Sequence, residues 1–533
     1  MRQYPIGIQD FAKIINGNMV YVDKTDLVYQ LASSEGVYFL SRPRRFGKSL
    51  LVSTLKYYFQ GRKDLFKGLE MEKLEKDWTE YPVFEIDFNG KDYTQEGALV
   101  RTLEGSVSSW ERIYGKSPDF EELGDRFAYV LHQAHEKTGH RCVVLIDEYD
   151  KPMLDVMDTG LKTTEGGAEM TLEERNRNTL KAFYSTFKSA DADLRFVFLT
   201  GVTKFAQVSV FSGFNNAQDI SMVPDFDSLC GISQEELDTN FHDAIEALGK
   251  ANGLSYEETA QLLKETYDGY HFSKAMTDIY NPFSLLNTFK RKDFSDYWFA
   301  TGTPTYLLRL LAHNDEDLSQ IVGREYTTQQ FVDYRATVEA PVPMIYQSGY
   351  LTIKSYNRET RRYVLDLPNK EVSNGFLSLE AASYFQDKQG RTSSFVIDAA
   401  IALRNGQIDK FHDMLVDFIA SLPFNLRVDN TKKSYEKEFH MVVFLIIRLI
   451  ASQEFITFNE MPNSDGIADM VLYTPNYVYI FEFKLDIPAS KALAQIEAKG
   501  YAAPYAHDPR KVYRIGCSFS SETGRVADWE VSD

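Results

Sequence analysis

Residues 41–49 read Ser-Arg-Pro-Arg-Arg-Phe-Gly-Lys-Ser, and the stretch lies between an apolar run and a segment of helical periodicity. In a phosphate-binding loop, G-x-x-x-x-G-K-[ST], backbone N–H groups surround the phosphates, the lysine reaches the β- and γ-phosphates, and the hydroxyl ligates Mg²⁺. Gly47, Lys48 and Ser49 retain the second half of that pattern, while Arg42 occupies the position of its first glycine. The stretch is therefore a candidate phosphate-binding loop of variant sequence.

The residues on either side of the loop supply the context that the motif requires. Residues 37–40 read as a short buried strand, and residues 50–59 repeat apolar residues at helical spacing. A Gly-Lys-Ser tripeptide alone occurs by chance in many proteins, but strand, loop and helix in this order favour a nucleotide site. The predicted nucleotide-binding residues are Arg44, Arg45, Phe46, Gly47, Lys48, Ser49 and Leu50, and Ser49 is also a predicted ligand of Mg²⁺.

Arginines are dense beside Lys48, and two interpretations of them are open. Arg42, Arg44 and Arg45 either contact phosphate, which arginine binds bidentately, or solvate the rim of the loop. Their density favours a local anion site.

A second motif, residues 141–150, reads Arg-Cys-Val-Val-Leu-Ile-Asp-Glu-Tyr-Asp. A continuous apolar run is typical of a fully buried parallel strand, and ligands of open α/β sheets gather beyond the carboxyl ends of the strands. Asp147 is therefore predicted to hold Mg²⁺, and Glu148 to polarise the attacking water. The alternative is a buried strand followed by a solvated acidic turn. Paired with the Lys48 loop, the motif favours ATP and Mg²⁺ as cofactors.

Two further apolar runs, residues 82–88 and 194–201, predict more strands of the same α/β sheet. The second run ends in hydroxyl side chains, so Thr200 is a candidate for contact with the γ-phosphate, with Thr203 as another. A threonine at a strand end is more often a cap or a turn residue. Lys204 follows as a candidate charge partner of the phosphates.

Length, composition and charge limit the class of protein. A chain of 533 residues is long enough for about two to four domains, and 44% apolar with 25% charged residues indicates a globular protein. A net charge of −19 argues against nonspecific coating of nucleic acid, which needs a basic face, but allows a locally basic cleft. Cys142, Cys230 and Cys517 have no zinc spacing and suggest a reducing compartment.

The sequence predicts no membrane segment. Its first residues lack the apolar region of a signal peptide. The longest apolar stretch, residues 441–451, is interrupted by Arg448 and is too short to span a bilayer. We therefore expect a cytoplasmic protein.

Residues 1–232 form the predicted ATPase core, and residues 233–375 should form a helical lid and a winged-helix-like module. Residues 233–236 have the capping-box pattern Ser-Gln-Glu-Glu. The runs 350–356 and 362–367 flank a short polar turn and should pair as a hairpin. Such modules bind DNA in many proteins, and a purely structural wing is the alternative. The arginines near this turn are Arg358, Arg361 and Arg362. The next stretch, 376–424, is interpreted as a helical connector.

Residues 425–533 carry a second set of charged side chains. Two strand-like runs are joined by a Thr-Pro-Asn turn, so Asp469 should lie near Glu482. Because side chains alternate along a strand, Glu482 and Lys484 share a face. Two converging carboxylates can bind Mg²⁺, and a lysine beside them can orient water and stabilise charge on a phosphodiester. The alternative is a charged strand end in an ordinary hairpin.

These motifs, in this order, resemble those of the bacterial AAA-ATPase-like family. The resemblance rests on residues 21–25, 42–49, 145–150 and 199–203, and it continues through 211–215, 267–270, 280–282 and 298–304. In the tail, residues 466–469, 479–484, 492–496 and 499–501 look like the PD-(D/E)xK nuclease domain that this family carries. The resemblance covers nearly the whole chain.

The resemblance implies an α/β protein in which a P-loop NTPase core is fused, through a helical and winged-helix-like middle, to a restriction-endonuclease-like domain. The nuclease positions of the family fall on Asp469, Glu482 and Lys484, with Gln495 as a later motif residue and Glu436 as the helical glutamate. Asp469 and Glu482 are then the expected metal ligands of that domain.

The missing first glycine of the loop is a trait of the family, but the tail has one departure from its pattern. The family commonly has Gly-Arg before the metal-binding aspartate, whereas this chain has Ile467. Glu438 is an alternative to Glu436 as the helical glutamate.

The expected function is an ATPase joined to a Mg²⁺-dependent nuclease that acts on DNA rather than RNA, with oligomers possible in principle. The alternative is a nucleotide-dependent switch whose inactive nuclease-like domain binds nucleic acid or protein.

Overall fold

A computed structural model of the chain describes residues 2–165, 168–204, 217–301, 321–332, 341–385, 391–422, 442–443, 445–451, 457–461 and 469–533. Contacts divide these residues into two compact units. The first unit holds the described residues as far as Thr301 together with Val322–Glu371. The second holds Ile321 and the described residues from Val372 to Asp533.

The first unit is built on a five-stranded sheet in which every paired neighbour is parallel. The strands of the unit are β1 (Gly36–Ser41), β2 (Val83–Asp87), β3 (Cys142–Asp147), β4 (Lys162–Glu165), β5 (Ala168–Thr171), β6 (Leu194–Gly201), β7 (Gln218–Asp219), β8 (Ile232–Ser233), β9 (Ile279–Tyr280), β10 (Arg324–Tyr326), β11 (Thr352–Asn357) and β12 (Arg362–Asp366). The large sheet has the order β2-β3-β6-β1-β7. The carboxyl ends of β3, β6 and β1 therefore lie side by side, and the four strands expected from the sequence are confirmed.

Helices connect these strands and cover the sheet. Their bounds are Phe11–Asn16, Thr25–Ser33, Lys48–Phe59, Glu70–Leu74, Ala98–Tyr114, Leu123–Thr138, Lys151–Leu154, Leu172–Ser189, Gln234–Asn240, His242–Asn252, Tyr256–Tyr267, Pro282–Arg291, Tyr297–Ala300, Thr328–Val332 and Val342–Gln347. All six residues of β3 are buried, as its apolar run predicts. The helix Lys48–Phe59 buries Leu51, Leu55 and Phe59, which recur at helical spacing and place it on the sheet.

The predicted helical region after residue 232 is confirmed. The capping box at its start is present: the Ser233 hydroxyl accepts from the Glu236 backbone N–H, and the Glu236 carboxylate accepts from the Ser233 backbone N–H. Behind it, buried side chains including Phe241, Leu263 and Tyr267 form a separate apolar cluster. This helical part also holds Trp298, which hydrogen bonds to the phosphate-binding loop.

The hairpin predicted near residues 350–367 is also confirmed, since β11 and β12 pair antiparallel. His271 of the same unit hydrogen bonds to this hairpin. Its backbone N–H donates to the Thr352 hydroxyl at 2.8 Å, and its Nδ1 donates to the Ile353 carbonyl at 2.7 Å. Arg362 forms an ion pair with Glu325 at 3.4 Å. These contacts fit the structural interpretation of the wing, and DNA binding there stays a prediction.

The second unit contains a five-stranded mixed sheet of order β13-β14-β15-β16-β17. Its strands are β13 (Thr457–Met461), β14 (Asp469–Tyr473), β15 (Tyr477–Leu485), β16 (Lys511–Ser520) and β17 (Arg525–Ser532). Only β15 and β16 pair in parallel, and the helix Ala489–Ala498 makes the crossover that a parallel pair requires. This α/β arrangement is the one predicted for the tail.

The crossover helix covers one face of this sheet. Ile496 on the helix packs with Val478 and Ile480 of β15. A Cβ on Gly516 of β16 would lie 2.3 Å from the Ala489 carbonyl oxygen, so glycine is required there for the helix to approach. Glu482 and Lys484 continue the face that carries Val478 and Ile480, because side chains alternate along β15.

The other face is covered by helices from the stretch interpreted as a connector. Besides Lys370–Phe385, which begins in the first unit, the helices are Arg391–Arg404 and Ile408–Ser421. The Tyr479 hydroxyl donates to the Leu403 carbonyl at 2.6 Å, and the Phe411 and Phe481 ring centroids are 6.0 Å apart. These helices therefore belong to the second unit. Within the described part of the chain, no helix has both the length and the apolar character needed to cross a bilayer.

Candidate functional site

The phosphate-binding loop joins β1 to the helix Lys48–Phe59. Gly47 precedes the helix with a φ of +97°, which glycine adopts without steric cost. The first turn of a helix has N–H groups without intrahelical acceptors, and the helix dipole favours an anion there. The Lys48 side chain is only 4% exposed, and its ammonium donates to the Pro43 carbonyl at 3.3 Å. Helical N–H groups and a buried ammonium are thus brought together.

Arg42, at the position of the first glycine, points away from this loop. Its buried guanidinium donates to the carbonyl oxygens of Ser41, Ser221 and Phe226 at 2.9, 2.8 and 3.0 Å. It also lies 4.0 Å from the centroid of the Phe272 ring. The backbone of Arg42 is outside the left-handed region, so glycine is not required there. Arg42 is a core residue and neither contacts the phosphate position nor solvates the rim.

Restoring the consensus glycine, Arg42→Gly, is expected to destabilise the first unit by about 3–5 kcal/mol, because it empties a buried position and leaves three carbonyls without their donor. Urea unfolding followed by circular dichroism measures this loss. ATP binding by the folded protein should not become tighter than in the parent. A glycine variant that is as stable as the parent and binds ATP more tightly would contradict this interpretation of Arg42.

The backbone of the loop is held by residues that follow β7 in the chain. The Trp298 indole N–H donates to the Arg44 carbonyl at 2.9 Å. The Gly231 backbone N–H donates to the Phe46 carbonyl at 3.0 Å. The Phe46 ring is buried edge-on against Tyr270, with the centroids 4.8 Å apart. Phe46 therefore anchors the loop by its side chain, and it also lines an apolar recess beside the loop.

Arg44 and Arg45 are the exposed arginines of the loop, and both line the cavity beside it. Arg45 has a left-handed φ of +69°, and its guanidinium lies 4.8 Å from the centroid of the Phe283 ring. Their side chains are in a position to meet either phosphate or solvent, so both interpretations of these two arginines stay open.

Asp147 ends β3 beside the loop and is 4% exposed. Burial raises the pKa of Asp147 to about 6, the hydrogen bond from the Ser49 hydroxyl opposes that rise, and the nearby Glu148 carboxylate adds to it. A hydroxyl and a carboxylate in contact supply the hard oxygen ligands that Mg²⁺ prefers. Ser49 and Asp147 therefore fit this ion, as the two motifs predict.

Glu148 faces Lys48 across the same space. The Glu148 carboxylate lies 3.8 Å from the Lys48 ammonium, and both residues line the cavity. Glu148 has a left-handed φ of +52°, a conformation that is uncommon outside glycine and concentrates at functional sites. The predicted water-polarising carboxylate is thus next to the predicted phosphate-binding ammonium.

Thr200 and Thr203 use their hydroxyl hydrogens inside the protein. The Thr200 hydroxyl donates to the Leu40 carbonyl at 2.8 Å, which links β6 to β1. The Thr203 hydroxyl donates to Asp150 at 2.8 Å. Lys204 forms an ion pair with Asp219 at 2.6 Å. Contact of Thr200 with phosphate stays a prediction. The described hydrogen bond of Thr200 is a structural one between β6 and β1.

Asp150 is a residue to which the sequence interpretation gave no role. It is fully buried, and its Oδ2 accepts from the backbone N–H groups of Val202 and Thr203 at 3.1 and 2.6 Å. Burial raises the pKa of Asp150 to about 6. The carboxylate joins the turn after β3 to the turn after β6. Its position two residues after Glu148 is the signal that the sequence offers.

The loop opens into a cavity of about 510 Å³. Lys48, Ser49 and Glu148 line its polar side, while Ile6 and Leu286 add apolar surface. Neither Ile6 nor Leu286 lies in a motif, and only the fold brings these two segments to the loop.

A second, mainly apolar recess of about 110 Å³ also reaches Gly47 and Leu50. Its lining includes Tyr21, Cys230 and Phe241. Polar and apolar spaces therefore adjoin at the start of the helix Lys48–Phe59, as a ligand with phosphates at one end and a flat ring at the other would require.

A buried carboxyl, Glu371, lies behind the Trp298 contact. It is 1% exposed, and its Oε1 accepts from the Ser284 hydroxyl at 2.9 Å and from the Trp298 backbone N–H at 2.6 Å. Burial raises the pKa of Glu371 to about 8, hydrogen bonds oppose the rise, and the nearby Asp296 carboxylate adds to it. Glu371 is thus mostly protonated in the folded protein at neutral pH.

This pKa predicts a pH dependence of stability. Between the ordinary value of 4.5 and about 8, the folded protein holds a proton on Glu371 that the unfolded chain has lost. The contribution of Glu371 to stability therefore falls as the pH rises through this window, by up to about 1.4 kcal/mol per pH unit. Thermal unfolding should show that the melting temperature of Glu371→Gln rises relative to that of the parent between pH 5.5 and 8.5. A difference between the two proteins that is constant over this range would contradict the assignment.

In the second unit, Glu482 is a fully buried carboxylate on β15. The Lys484 ammonium donates to its Oε1 at 2.6 Å, while its Oε2 is buried and has no hydrogen-bond partner among the described atoms. A buried carboxylate oxygen without a partner is costly, and an ion would satisfy it. Glu482 therefore fits a divalent cation.

The backbone places Asp469 beside this carboxylate. Met470 pairs with Phe481 in the antiparallel register of β14 and β15, so the next position along puts Asp469 opposite Glu482. The Cα atoms of opposite residues in an antiparallel pair lie about 4.5–5.5 Å apart. This register agrees with the predicted proximity of Asp469 and Glu482.

The remaining predicted nuclease residues are less defined. Gln495 is half-exposed on the crossover helix, which lies over the face of β15 that carries Glu482. Glu436, Glu438 and Ile467 lie outside the described residues. Among the side chains that the structure describes, a set that excludes Asp469, no three His, Cys, Asp or Glu residues form a metal-binding group.

Comparison with known proteins agrees with the two-part arrangement. Residues 5–211 match the family described as Predicted AAA-ATPase, and residues 434–529 match the PD-(D/E)XK nuclease superfamily. A protein of Azotobacter chroococcum mcd 1, described as an uncharacterized protein in the vnfD 5' region, is 34% identical in an alignment of 547 positions that covers 99% of this chain and 99% of that protein. A crystal structure of a DNA replication initiation factor matches 82% of this chain and 94% of its own, at 13% identity and a TM-score of 0.24. A TM-score this low does not establish a shared fold.

The parallel sheet with its phosphate-binding loop, followed by the mixed sheet with Glu482 and Lys484, defines an α/β protein of P-loop ATPase type with a nuclease-like tail. The chain belongs to the AAA-ATPase-like family, and it carries a C-terminal PD-(D/E)XK nuclease superfamily domain.

Proposed function

We propose that the protein binds and hydrolyses ATP with Mg²⁺ in its first unit, and that the nucleotide state controls a Mg²⁺-dependent nuclease in its second. The observation that carries the proposal is the set of three contacts at the carboxyl ends of β1 and β3. Pro43 and Glu148 hold the Lys48 ammonium, and Ser49 hydrogen bonds to Asp147, all at one cavity.

In this proposal each residue of the first site has a defined role. Lys48 leaves Glu148 and neutralises the β- and γ-phosphates, and helical N–H groups beside Gly47 donate to them. Ser49 and Asp147 hold Mg²⁺, which supplies charge neutralisation at the phosphates. Glu148, released from Lys48, orients the attacking water and accepts its proton. The apolar recess beside Leu50 receives the base.

In the second site, Asp469 and Glu482 hold the metal that neutralises the scissile phosphate. Lys484 lies on the same strand face as Glu482, so its ammonium orients the attacking water or stabilises negative charge on the phosphate. Gln495, Glu436 and the alternative Glu438 are proposed as supporting residues of this site. DNA is the proposed substrate, and the buried, reduced cysteines fit action in the cytoplasm.

A second candidate is a nucleotide-dependent switch with an inactive nuclease-like unit that binds nucleic acid or protein. The sequence feature in its favour is Ile467, which stands where the family commonly has arginine. Loss of that cation would weaken contact with a phosphate backbone.

One set of assays separates the two candidates. Parent, Lys48→Ala and Glu482→Ala proteins are incubated with single-stranded DNA, duplex DNA and RNA in Mg²⁺ or Mn²⁺, each with and without ATP. Cleavage by the parent that Glu482→Ala lacks would support the nuclease. ATP binding with no cleavage of any substrate would favour the switch, and cleavage that is equal in the parent and Glu482→Ala would remove the proposed nuclease site.

A further inference from the structure

Trp298 connects the phosphate-binding loop to the interior of the first unit. Its indole N–H donates to the Arg44 carbonyl at 2.9 Å, and its ring centroid is 5.1 Å from that of Tyr350. Both aromatic residues line the cavity beside the loop. The Trp298 side chain is 6% exposed, so only a small part of its surface borders the cavity.

The contact with Arg44 sets the direction of a loop peptide. A trans peptide is planar, so its C=O and the following N–H point in opposite directions. When the indole holds the Arg44 carbonyl, the N–H of Arg45 is directed away from Trp298. Arg45 has a left-handed φ of +69°, a conformation that needs support from its surroundings. The hydrogen bond from Trp298 to the Arg44 carbonyl supplies that support.

Glu371 fixes the other end of Trp298. Its Oε1 accepts from the Trp298 backbone N–H at 2.6 Å and from the Ser284 hydroxyl at 2.9 Å, and the hydroxyl is also 3.1 Å from the same N–H. The Phe299 backbone N–H adds a further hydrogen bond to the carboxyl. Trp298 is thereby held by its backbone to Glu371 and by its indole to the loop.

We infer that Glu371 is a positioning residue for nucleotide binding, which acts through Trp298 to set the Arg44 peptide of the phosphate-binding loop. The inference rests on the proposed nucleotide site. Glu371 itself touches neither Lys48 nor Ser49 in the contacts of this structure, so its removal acts on the ligand only by way of the loop.

Four variants test this inference by isothermal titration with ATP and Mg²⁺. Trp298→Phe keeps an aromatic ring against Tyr350 but loses the indole N–H. It should weaken ATP binding about five- to tenfold, the loss expected for one hydrogen bond. Glu371→Ala should weaken binding by a similar factor, and Glu371→Gln, which keeps an acceptor of the same shape, should stay within about twofold of the parent. The double variant Trp298→Phe with Glu371→Ala should be no weaker than Trp298→Phe alone.

Asp268→Ala is the matched control, because Asp268 is a buried carboxyl of the same unit at 1% exposure and neither of its carboxylate oxygens hydrogen bonds to the loop. It should bind ATP as the parent does. Parental binding by Trp298→Phe would overturn the inference even if Glu371→Ala failed to fold, and losses that multiply in the double variant would overturn it as well. If the parent binds ATP and Lys48→Ala does not, such outcomes leave the proposed function standing. A parent that binds no ATP would overturn both.

Discussion

Glu482→Gln is expected to lower the rate of nucleic-acid cleavage by about a thousandfold. The substitution keeps the size of the side chain and an acceptor for the Lys484 ammonium, but it removes the negative charge that would hold the metal. Metal ions supply several kcal/mol of transition-state stabilisation, and each 1.4 kcal/mol corresponds to a factor of ten. Single-turnover cleavage of labelled DNA in Mg²⁺ measures the effect.

The control for this prediction is Glu497→Gln, which removes a carboxylate from an exposed position of the crossover helix. It should cleave DNA at the parental rate. Thermal unfolding must show that Glu482→Gln is folded, because the substitution removes the negative partner of a buried ion pair with Lys484. A folded Glu482→Gln protein that cleaves at the parental rate would rule out this carboxylate as a metal ligand.

Lys48→Ala is expected to weaken ATP binding about a hundredfold. The ammonium is buried at the base of the cavity, and hydrogen bonds to charged groups contribute about 1.5–3 kcal/mol in such surroundings. Removing it also leaves Glu148 facing the phosphates without a compensating charge. Isothermal titration with ATP and Mg²⁺ measures the loss.

Lys56→Ala is the matched control, since Lys56 lies on the same helix and pairs with Glu85 outside the cavity. It should bind ATP within about twofold of the parent, as expected for a partly exposed ion pair. Equal ATP affinities of Lys48→Ala and Lys56→Ala would show that the loop is not the nucleotide site.

Local patterns sufficed for the parts of the fold that depend on neighbouring residues. The buried strand ending at Asp147, the capping box at Ser233 and the antiparallel pairing of β14 with β15 each follow from a short run of residues. Strand alternation and a turn fix which side chains share a face, whatever the rest of the chain does. These predictions therefore agree with the structure.

The position of Arg42 could not be predicted in this way. Its guanidinium donates to Ser221 and Phe226, which lie far along the chain and become its neighbours only when the sheet forms. The phosphate-binding motif covers only the residues of the loop. It therefore shows that the first glycine is missing, but it does not include these carbonyls. The same reason explains why Ile6 was missed as a residue of the cavity.

The helices of residues 391–421 show a different limit. Their apolar spacing predicts that one side of each helix is buried, but it does not predict which element that side packs against. In the structure, Leu403 and Phe411 contact Tyr479 and Phe481 of the mixed sheet. A stretch that carries no charged motif can thus be part of the nuclease-like unit and support the strand that bears Glu482.

The central proposal is that the nucleotide state of the first unit controls cleavage by the second. The most direct test compares DNA cleavage by the full chain without nucleotide, with ATP and with a non-hydrolysable ATP analogue, in the parent and in Lys48→Ala. We predict that nucleotide changes the cleavage rate of the parent and leaves that of Lys48→Ala unaffected. A parent that cleaves DNA at one rate in all three conditions, while binding ATP, would contradict this account.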